Sequence, residues 1–501
     1  MVGHAKVGWR AQLSQEDLLL WAKLNDVGFE CAVPGIVEGK GGALLANQDI
    51  ARNGTGQQTQ LLIVPHDLIL SLERVQEHAK ADRDFREVLE ALGDFGRTAR
   101  GAILSFLLTQ ASISASDLTE RVCVHSPFTD YIKSLPPELL PTFWTDEELQ
   151  LLQGTTLAPA VSSKLRSLHR EYDMLCETAK HTRWFRAISD SLEFAQWLEV
   201  DAMYRSRALD YPGIGHCMVP CVDLANHCAG ESTIALYEKD EDGNACLLLR
   251  DGKSARKGEE ITVTYGDHKG ACEMLFSYGF LEQGRESAET LFLSLSIPET
   301  DPYRTAKLAV ADCAPGCKLV DAGKGAIDWN GDFIWFLCVS AEDGLRFELA
   351  RTLDSKEDEM QAFFGETELT GGATQLHELL SKTNLWEVYR LRAVAVLQQR
   401  VFDQMQMLYS TQEDMEATVH GDRTEVRTSC YEQAKQLRRL EFELLEQAYE
   451  DFEKQKNELA DTDCVKKYLA EVAGDEQDGV GEADGSPEEV HHESDAEDDF
   501  S

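Results

Sequence analysis

The chain has 501 residues, 43% of them hydrophobic, enough for two or three domains with sizeable cores. Its 89 acidic and 48 basic residues give a formal net charge of -41, which argues against direct nucleic-acid contact and fits a surface that attracts basic proteins. Thirteen scattered cysteines, an opening without a charged-then-apolar leader, and no run near the ~20 apolar residues of a membrane span predict a cytoplasmic or nuclear chain with reduced thiols and no membrane contact.

Phe29–Ile50 (FECAVPGIVEGKGGALLANQDI) predicts short strands around a Gly-rich turn, and Leu61–Leu70 (LLIVPHDLIL) adds an apolar run. From about Ser71 to Val200 the pattern is mostly helical, interrupted by the Pro-punctuated Ser134–Trp144. Met218–His227 (MVPCVDLANH) returns to strand and turn. Ser232–Arg250 reads as a hairpin turning at EDGN, and Gly258–Gly266 (GEEITVTYG) as a strand. A helix follows, ending on Tyr278, Gly279 and Phe280. Beyond Ser296–Arg304 the spacing is helical, through Leu391, Val394, Leu397, Val401, Phe402, Met405 and Leu408, then Leu437, Leu440, Leu444, Leu445, Ala448 and Phe452. An all-helical domain over 289–470 is expected. Glu471–Ser501 holds 13 acidic residues and no Lys or Arg, leaving -28 for the rest, and predicts a disordered acidic tail. Ser486 and Ser494 lie in acidic settings that suit phosphorylation, balanced against an unmodified solubilising tail.

Two stretches concentrate polar and aromatic groups at the ends of apolar segments: VPCVDLANHCAG (Val219–Gly230) and ITVTYGDHKGACEMLFSYGFLE (Ile261–Glu282). Taken singly, each feature has an ordinary reading. Asn226-His227 is a capping turn with a core-facing His. Tyr265 and Tyr278 are strand and helix aromatics, and Arg207 is a surface ion pair. HCMVPC (His216–Cys221) with His227 and Cys228 suggests zinc, but a strand alternates its faces and the second Cys pair lacks close spacing. Buried thiols are the better reading, and no metal site is expected.

Taken together, EGKGGALLANQDI, YRSRAL (Tyr204–Leu209), DLANH, ITVTYG and FSYGF resemble the core of SET-domain methyltransferases. The resemblance is closest to the branch of the Rubisco large-subunit lysine methyltransferase and its fungal relatives. Ser126–Leu157 resembles the helical insert of that branch. The resemblance covers nearly the whole chain except the tail. It implies an α+β fold: an irregular β SET core over 20–284 with a pseudoknot and a helical insert of about 71–200, followed by the helical substrate-binding domain. It implies S-adenosyl-L-methionine as cofactor, contacted by Asn226 and His227 largely through backbone groups, with Gly41 and Gly42 in the Gly-rich turn, Arg207 on the cofactor carboxylate, Asp223 lining the pocket and Phe280 against the adenine. Tyr265 is the implied catalytic residue, also touching the cofactor, and Tyr278 would line the lysine channel. The family turn usually reads Gly-any-Gly, whereas here Gly41 and Ala43 take those places with Gly42 between. The expected substrate is a basic protein, with a ribosomal protein the leading analogy. Two rivals stand beside it. One is a histidine methyltransferase, whose actin-modifying relative has Trp just before DxxNH and no Tyr in SYGF; this chain has Val222 and Tyr278. The other is an inactive SET scaffold, which would be expected to lack Tyr265 or the Asn226-His227 pair.

Overall fold

A computed structural model describes residues 13–51, 58–113, 121–137, 139–351, 358–413, 415–416 and 426–478. They fall into two compact units. One takes residues up to Leu293 with Lys318–Asn330 and Val401–Ala448. The other takes Ser294–Cys317, Gly331–Arg400 and the chain from Tyr449.

The strands lying wholly or mostly in the first unit are β1 (Ala32–Val37), β2 (Gly41–Ala46), β3 (Gln60–Val64), β4 (Leu209–Tyr211), β5 (Gly215–Cys217), β6 (Ala235–Lys239), β7 (Ala245–Leu249), β8 (Glu260–Ile261), β9 (Thr290–Ser294), β10 (Gly316–Gly323) and β11 (Ala326–Asn330). They form small sheets ordered β1-β2-β8, β3-β7-β6, β4-β5 and β11-β10-β9. β1 and β2 pair antiparallel from Ala32–Ala46 to Val37–Gly41, so the Gly-rich turn is a tight hairpin. Gly41 sits at φ +81°, a conformation that costs glycine nothing and other residues strain. β7 is buried at all five residues because it has a partner on each edge, and its ACLLL sequence carries no charge. The β6–β7 hairpin turns as expected at 240–244. The Asp240 carboxylate accepts the backbone N–H groups of Asp242 and Asn244 there.

Helix Ala99–Ile113 is apolar nearly all round, and Gly101–Ser112 are buried throughout. Helices Leu72–Ala81, Arg83–Ala91, Pro127–Ser134 and Phe194–Arg207 pack on it. The same unit includes 401–448, which bonds to the segment after Trp144. Arg427 donates to both oxygens of the buried Glu148, at 2.7 and 2.5 Å. Glu441 accepts the Thr156 N–H and hydroxyl, at 2.9 and 2.6 Å. Burial raises Glu441 to about 7 against these bonds.

In the second unit β12 (Leu345–Arg351), β13 (Asp358–Phe364) and β14 (Thr367–Glu368) form an antiparallel sheet. Helix Gly372–Leu380 follows, and Trp335 stacks on His377, which stacks on Trp386. The region expected to be all-helical is therefore helical from Gly372 but holds strands β9–β14 before it. Leu345, Phe347 and Leu349 alternate with Arg346 and Glu348, a period of two that the long helical stripes further along obscure. Those stripes are mostly core: Val394, Leu397, Val401 and Leu408 are buried, as are Leu437, Leu440, Leu444, Leu445, Ala448 and Phe452, while Phe402 is exposed. Helix Asp463–Asp478 runs through the expected start of the tail at Glu471, because Val465, Leu469 and Val472 continue a helical spacing. Residues 479–501, with Ser486 and Ser494, lie outside the described residues. No helix among the described residues is long and apolar enough to cross a membrane.

Candidate active site

The site begins where two distant segments run side by side. Val263 N–H donates to the Asn226 carbonyl at 3.0 Å, and Cys228 N–H donates to the Val263 carbonyl at 2.9 Å. His227 and Val263 thereby form an isolated parallel bridge. This crossing shortens the strand expected over 258–266 to the two residues of β8. The Thr262 carbonyl is taken by Ile234 and Ala235 N–H groups, and Val263 by the 226–228 segment, so neither continues the β2 ladder. Cys221, at φ +69°, turns the chain into the short 3-10 helix Val222–Leu224 and brings Asp223 inward.

Four rings follow one another from the crossing. His227 lies 5.2 Å from Tyr265, Tyr265 4.6 Å from Tyr278, and Tyr278 6.5 Å from Phe280, centroid to centroid. Tyr265 is held at both ends: its backbone N–H donates to His227 Nδ1 at 3.0 Å and its hydroxyl to the Ala225 carbonyl at 3.0 Å. Helix Ala271–Tyr278 stops because Gly279 adopts φ +79°, the left-handed cap that glycine accepts. A Cβ there would meet the Leu139 carbonyl oxygen at 3.3 Å. Burial pushes the Tyr278 hydroxyl up to about 12, so it stays protonated.

The polar side of the site centres on Asp223. Arg207 Nη1 donates to its backbone carbonyl at 3.1 Å and reaches its carboxylate at 3.4 Å, and the Tyr131 hydroxyl donates to that carboxylate at 2.6 Å. Burial raises Asp223, and Arg207 and Tyr131 only partly oppose it. Burial also holds Tyr131 well above its ordinary value, helped by Asp223. The Asn226 amide donates to the Gly42 carbonyl at 3.2 Å and to Glu260 at 2.8 Å, tying the crossing to the Gly-rich hairpin. Beside Gly42, the direction in which a Gly41 Cβ would project is open space.

The expected residues thus meet in three groups: Arg207 with Asp223, Asn226 with Gly42, and His227 with Tyr265, Tyr278 and Phe280. Gly41 joins them only through its neighbour Gly42. Sequence reasoning missed Tyr131, Glu260 and Glu282. Tyr131 lies inside the insert-like Ser126–Leu157 segment, and Glu282 two residues past Phe280; in neither case does the sequence show the partner, Asp223 or His227. Among the described residues no cluster of three His, Cys, Asp or Glu side chains is placed to hold a metal ion. Cys217 and Cys221 are buried free thiols, pushed up by burial.

Small antiparallel sheets, a crossing of two polar segments and a helical insert are the architecture of the SET fold. The chain has the SET fold, and its sequence is similar to SET-domain proteins that include the Rubisco large-subunit methyltransferases. It is similar to SET domain-containing protein 8 of Schizosaccharomyces pombe, with 29% identity over 211 residues, 42% of this chain and 47% of the relative. It is 28% identical over 325 residues to the chloroplastic Rubisco large-subunit N-methyltransferase of Pisum sativum, covering 62% and 60%. It is 27% identical over 292 residues to an actin-histidine N-methyltransferase of Xenopus tropicalis, covering 56% and 45%. These matches span about half of the relatives' lengths. The crystal structure of the SET domain of LSMT bound to lysine and AdoHcy matches with a TM-score of 0.62 at 20% identity, covering 93% of this chain and 98% of that one, which establishes the fold. No family model matches the sequence.

Proposed function

We propose that the chain is an S-adenosylmethionine-dependent protein-lysine N-methyltransferase acting on a basic protein. The observation that carries this reading is the Tyr265–Tyr278 pair at the crossing, with the Tyr265 hydroxyl pinned to the Ala225 carbonyl.

The residues fit the cofactor. Arg207 offers a forked cation to a carboxylate, the open hairpin at Gly41 and Gly42 lets backbone approach a ligand, and Phe280 offers an apolar face to an adenine. When bound, S-adenosylmethionine supplies a methyl group on a cationic sulfur, which passes to the amine nitrogen. The lysine amine, with a reference pKa of ~10.4, must first lose its proton to solvent. A partly dry channel favours that loss because desolvation penalises the cation, and the half-buried rings of Tyr265 and Tyr278 provide such walls. Because the Tyr265 hydroxyl donates to Ala225, its oxygen faces an incoming amine as an acceptor. Its role is to orient the nitrogen lone pair toward the methyl group.

Tyr278 and Val222 favour lysine over histidine, since the actin-type pattern replaces both. Retention of Tyr265, Asn226 and His227 favours an enzyme over a scaffold. The acidic surface favours a basic substrate. The test is direct. S-adenosylmethionine should raise the melting temperature, because it binds the native state. Mass spectrometry of proteins from cells lacking the chain should reveal a lysine that loses its methyl groups and regains them on incubation with the purified protein. Absence of cofactor binding by folded protein would overturn the proposal.

A further inference from the structure

His227 is buried, and its two ring nitrogens have different neighbours. Nδ1 faces the backbone N–H of Tyr265 at 3.0 Å. A backbone N–H only donates, so Nδ1 is an acceptor and the ring proton sits on Nε2. Nε2 in turn lies 3.3 Å from Glu282 Oε1. The other Glu282 oxygen accepts from Arg285 Nη1 at 2.6 Å. Arg285 is itself buried and fixed by further bonds to the Ser287 and Lys269 carbonyls and by Glu289 at 3.2 Å. Burial alone would raise Glu282, but His227 and Arg285 outweigh it and hold the carboxyl at about 2. Glu282 is thus an acceptor at both oxygens.

We propose that Glu282 is a positioning residue: it holds His227 in the Nε2–H tautomer, and that tautomer holds the Tyr265 backbone. The inference rests on the reading of Tyr265 as the residue that orients the amine. It makes a counter-intuitive demand of a nearly isosteric change. In Glu282→Gln, Arg285 still requires an oxygen, so the amide NH2 is turned toward His227. Nε2 must then accept, the ring proton moves to Nδ1, and it meets the Tyr265 N–H, donor against donor. The contact that anchors Tyr265 becomes a repulsion with little change in volume.

The test uses the full chain labelled with 15N-histidine and 15N-tyrosine. Long-range proton–nitrogen spectra of the wild type should show His227 as the Nε2–H tautomer. In Glu282→Gln the Nδ1–H form should become the major one, and the Tyr265 amide resonance should move. Methyl transfer is read alongside, with tritiated S-adenosylmethionine and salt-washed ribosomes as acceptor. The single-turnover rate should fall at least tenfold while cofactor affinity changes less than twofold. An Nδ1–H tautomer in the wild type overturns the proposal before any variant is made. So does an unchanged tautomer in Glu282→Gln, or a flipped tautomer that leaves both the Tyr265 amide and the rate unmoved. If the folded wild type binds no S-adenosylmethionine, the functional reading fails separately, and the spectra still decide what Glu282 does to His227 and Tyr265.

Discussion

Replacing Tyr265 with Phe removes one oxygen and keeps the ring, so the structure allows its effects on stability and chemistry to be separated. The ring contacts to His227 at 5.2 Å and Tyr278 at 4.6 Å survive, and the backbone bond to His227 is untouched. What is lost is the hydroxyl bond to the Ala225 carbonyl, worth about 1 kcal/mol of stability. Against the ~5–15 kcal/mol of a folded domain, that leaves the protein folded at assay temperature. The chemical step should lose more. A positioned hydrogen-bonding group at a transition state is worth ~10²–10³ in rate, or about 3–4 kcal/mol at ~1.4 kcal/mol per tenfold. The rate loss therefore cannot be an unfolding effect in disguise. Single-turnover transfer, calorimetric cofactor affinity and a melting curve on the same preparation separate the terms. A variant that turns over at the wild-type rate with unchanged affinity would show that Tyr265 is structural and that the catalytic centre lies elsewhere.

Tyr278→Phe makes the same atomic change one ring further along, and should give a milder rate loss or a different number of methyl groups on the product, read by intact-mass analysis. Arg207→Ala should weaken the rise in melting temperature produced by S-adenosylmethionine and take one donor from Asp223; an undiminished rise would remove Arg207 from the cofactor site. Glu148→Gln should destabilise by about 2 kcal/mol, since it removes the charge from a buried carboxylate whose hydrogen-bonded partner Arg427 is only half-buried. Hydrogen bonds and the charge of Arg427 overcome burial and hold Glu148 at about 2, below its unfolded value. Its contribution is thus fully present above the ordinary carboxylate range and lost as pH falls toward 2. Melting curves of wild type and Glu148→Gln should converge in acid, and a gap that stays constant with pH would refute this. Removing residues 479–501 takes away nine acidic residues and no basic ones. It should barely move the melting temperature and should weaken binding to a basic substrate, an effect that fades with salt; a large loss of stability would contradict the reading of these residues as a solvated tail.

The legible part of the fold was the part written in local chemistry. Gly39 and Gly41 announce a hairpin, EDGN announces another, and Gly279 ends a helix wherever it stands. The central helix Ala99–Ile113 announces its burial by having no polar face. Less legible was anything decided by a distant partner. GEEITVTYG alternates like a strand, yet its ladder ends after Ile261 because the 226–228 segment takes Val263. The long stripe after Leu391 reads as one helical domain, whereas Val401–Ala448 belongs to the compact unit that holds the site. Nothing local distinguishes a Glu441 bonded to Thr156 from a solvated glutamate on a helix face.

The same division runs through the site. Asn226, His227, Tyr265, Tyr278 and Phe280 were expected together because short motifs keep them in a fixed order, and the fold does bring the rings of the last four next to one another. Their order says nothing of what holds each ring. That information lies in Tyr131, Glu260 and Glu282, each an unremarked polar residue whose meaning depends on a partner far away in the chain: Asp223 for Tyr131, Asn226 for Glu260, His227 for Glu282. A carboxylate two residues beyond an aromatic is solvated by default. Here it is paired, because the backbone turns at Gly279 and Arg285 closes over it, so that each of its two oxygens meets a donor. A motif places the groups that would touch substrate. The partners that fix their angles become visible only when the chain is folded, and that is why the most informative substitution in this site is at Glu282, two residues past the FSYGF motif.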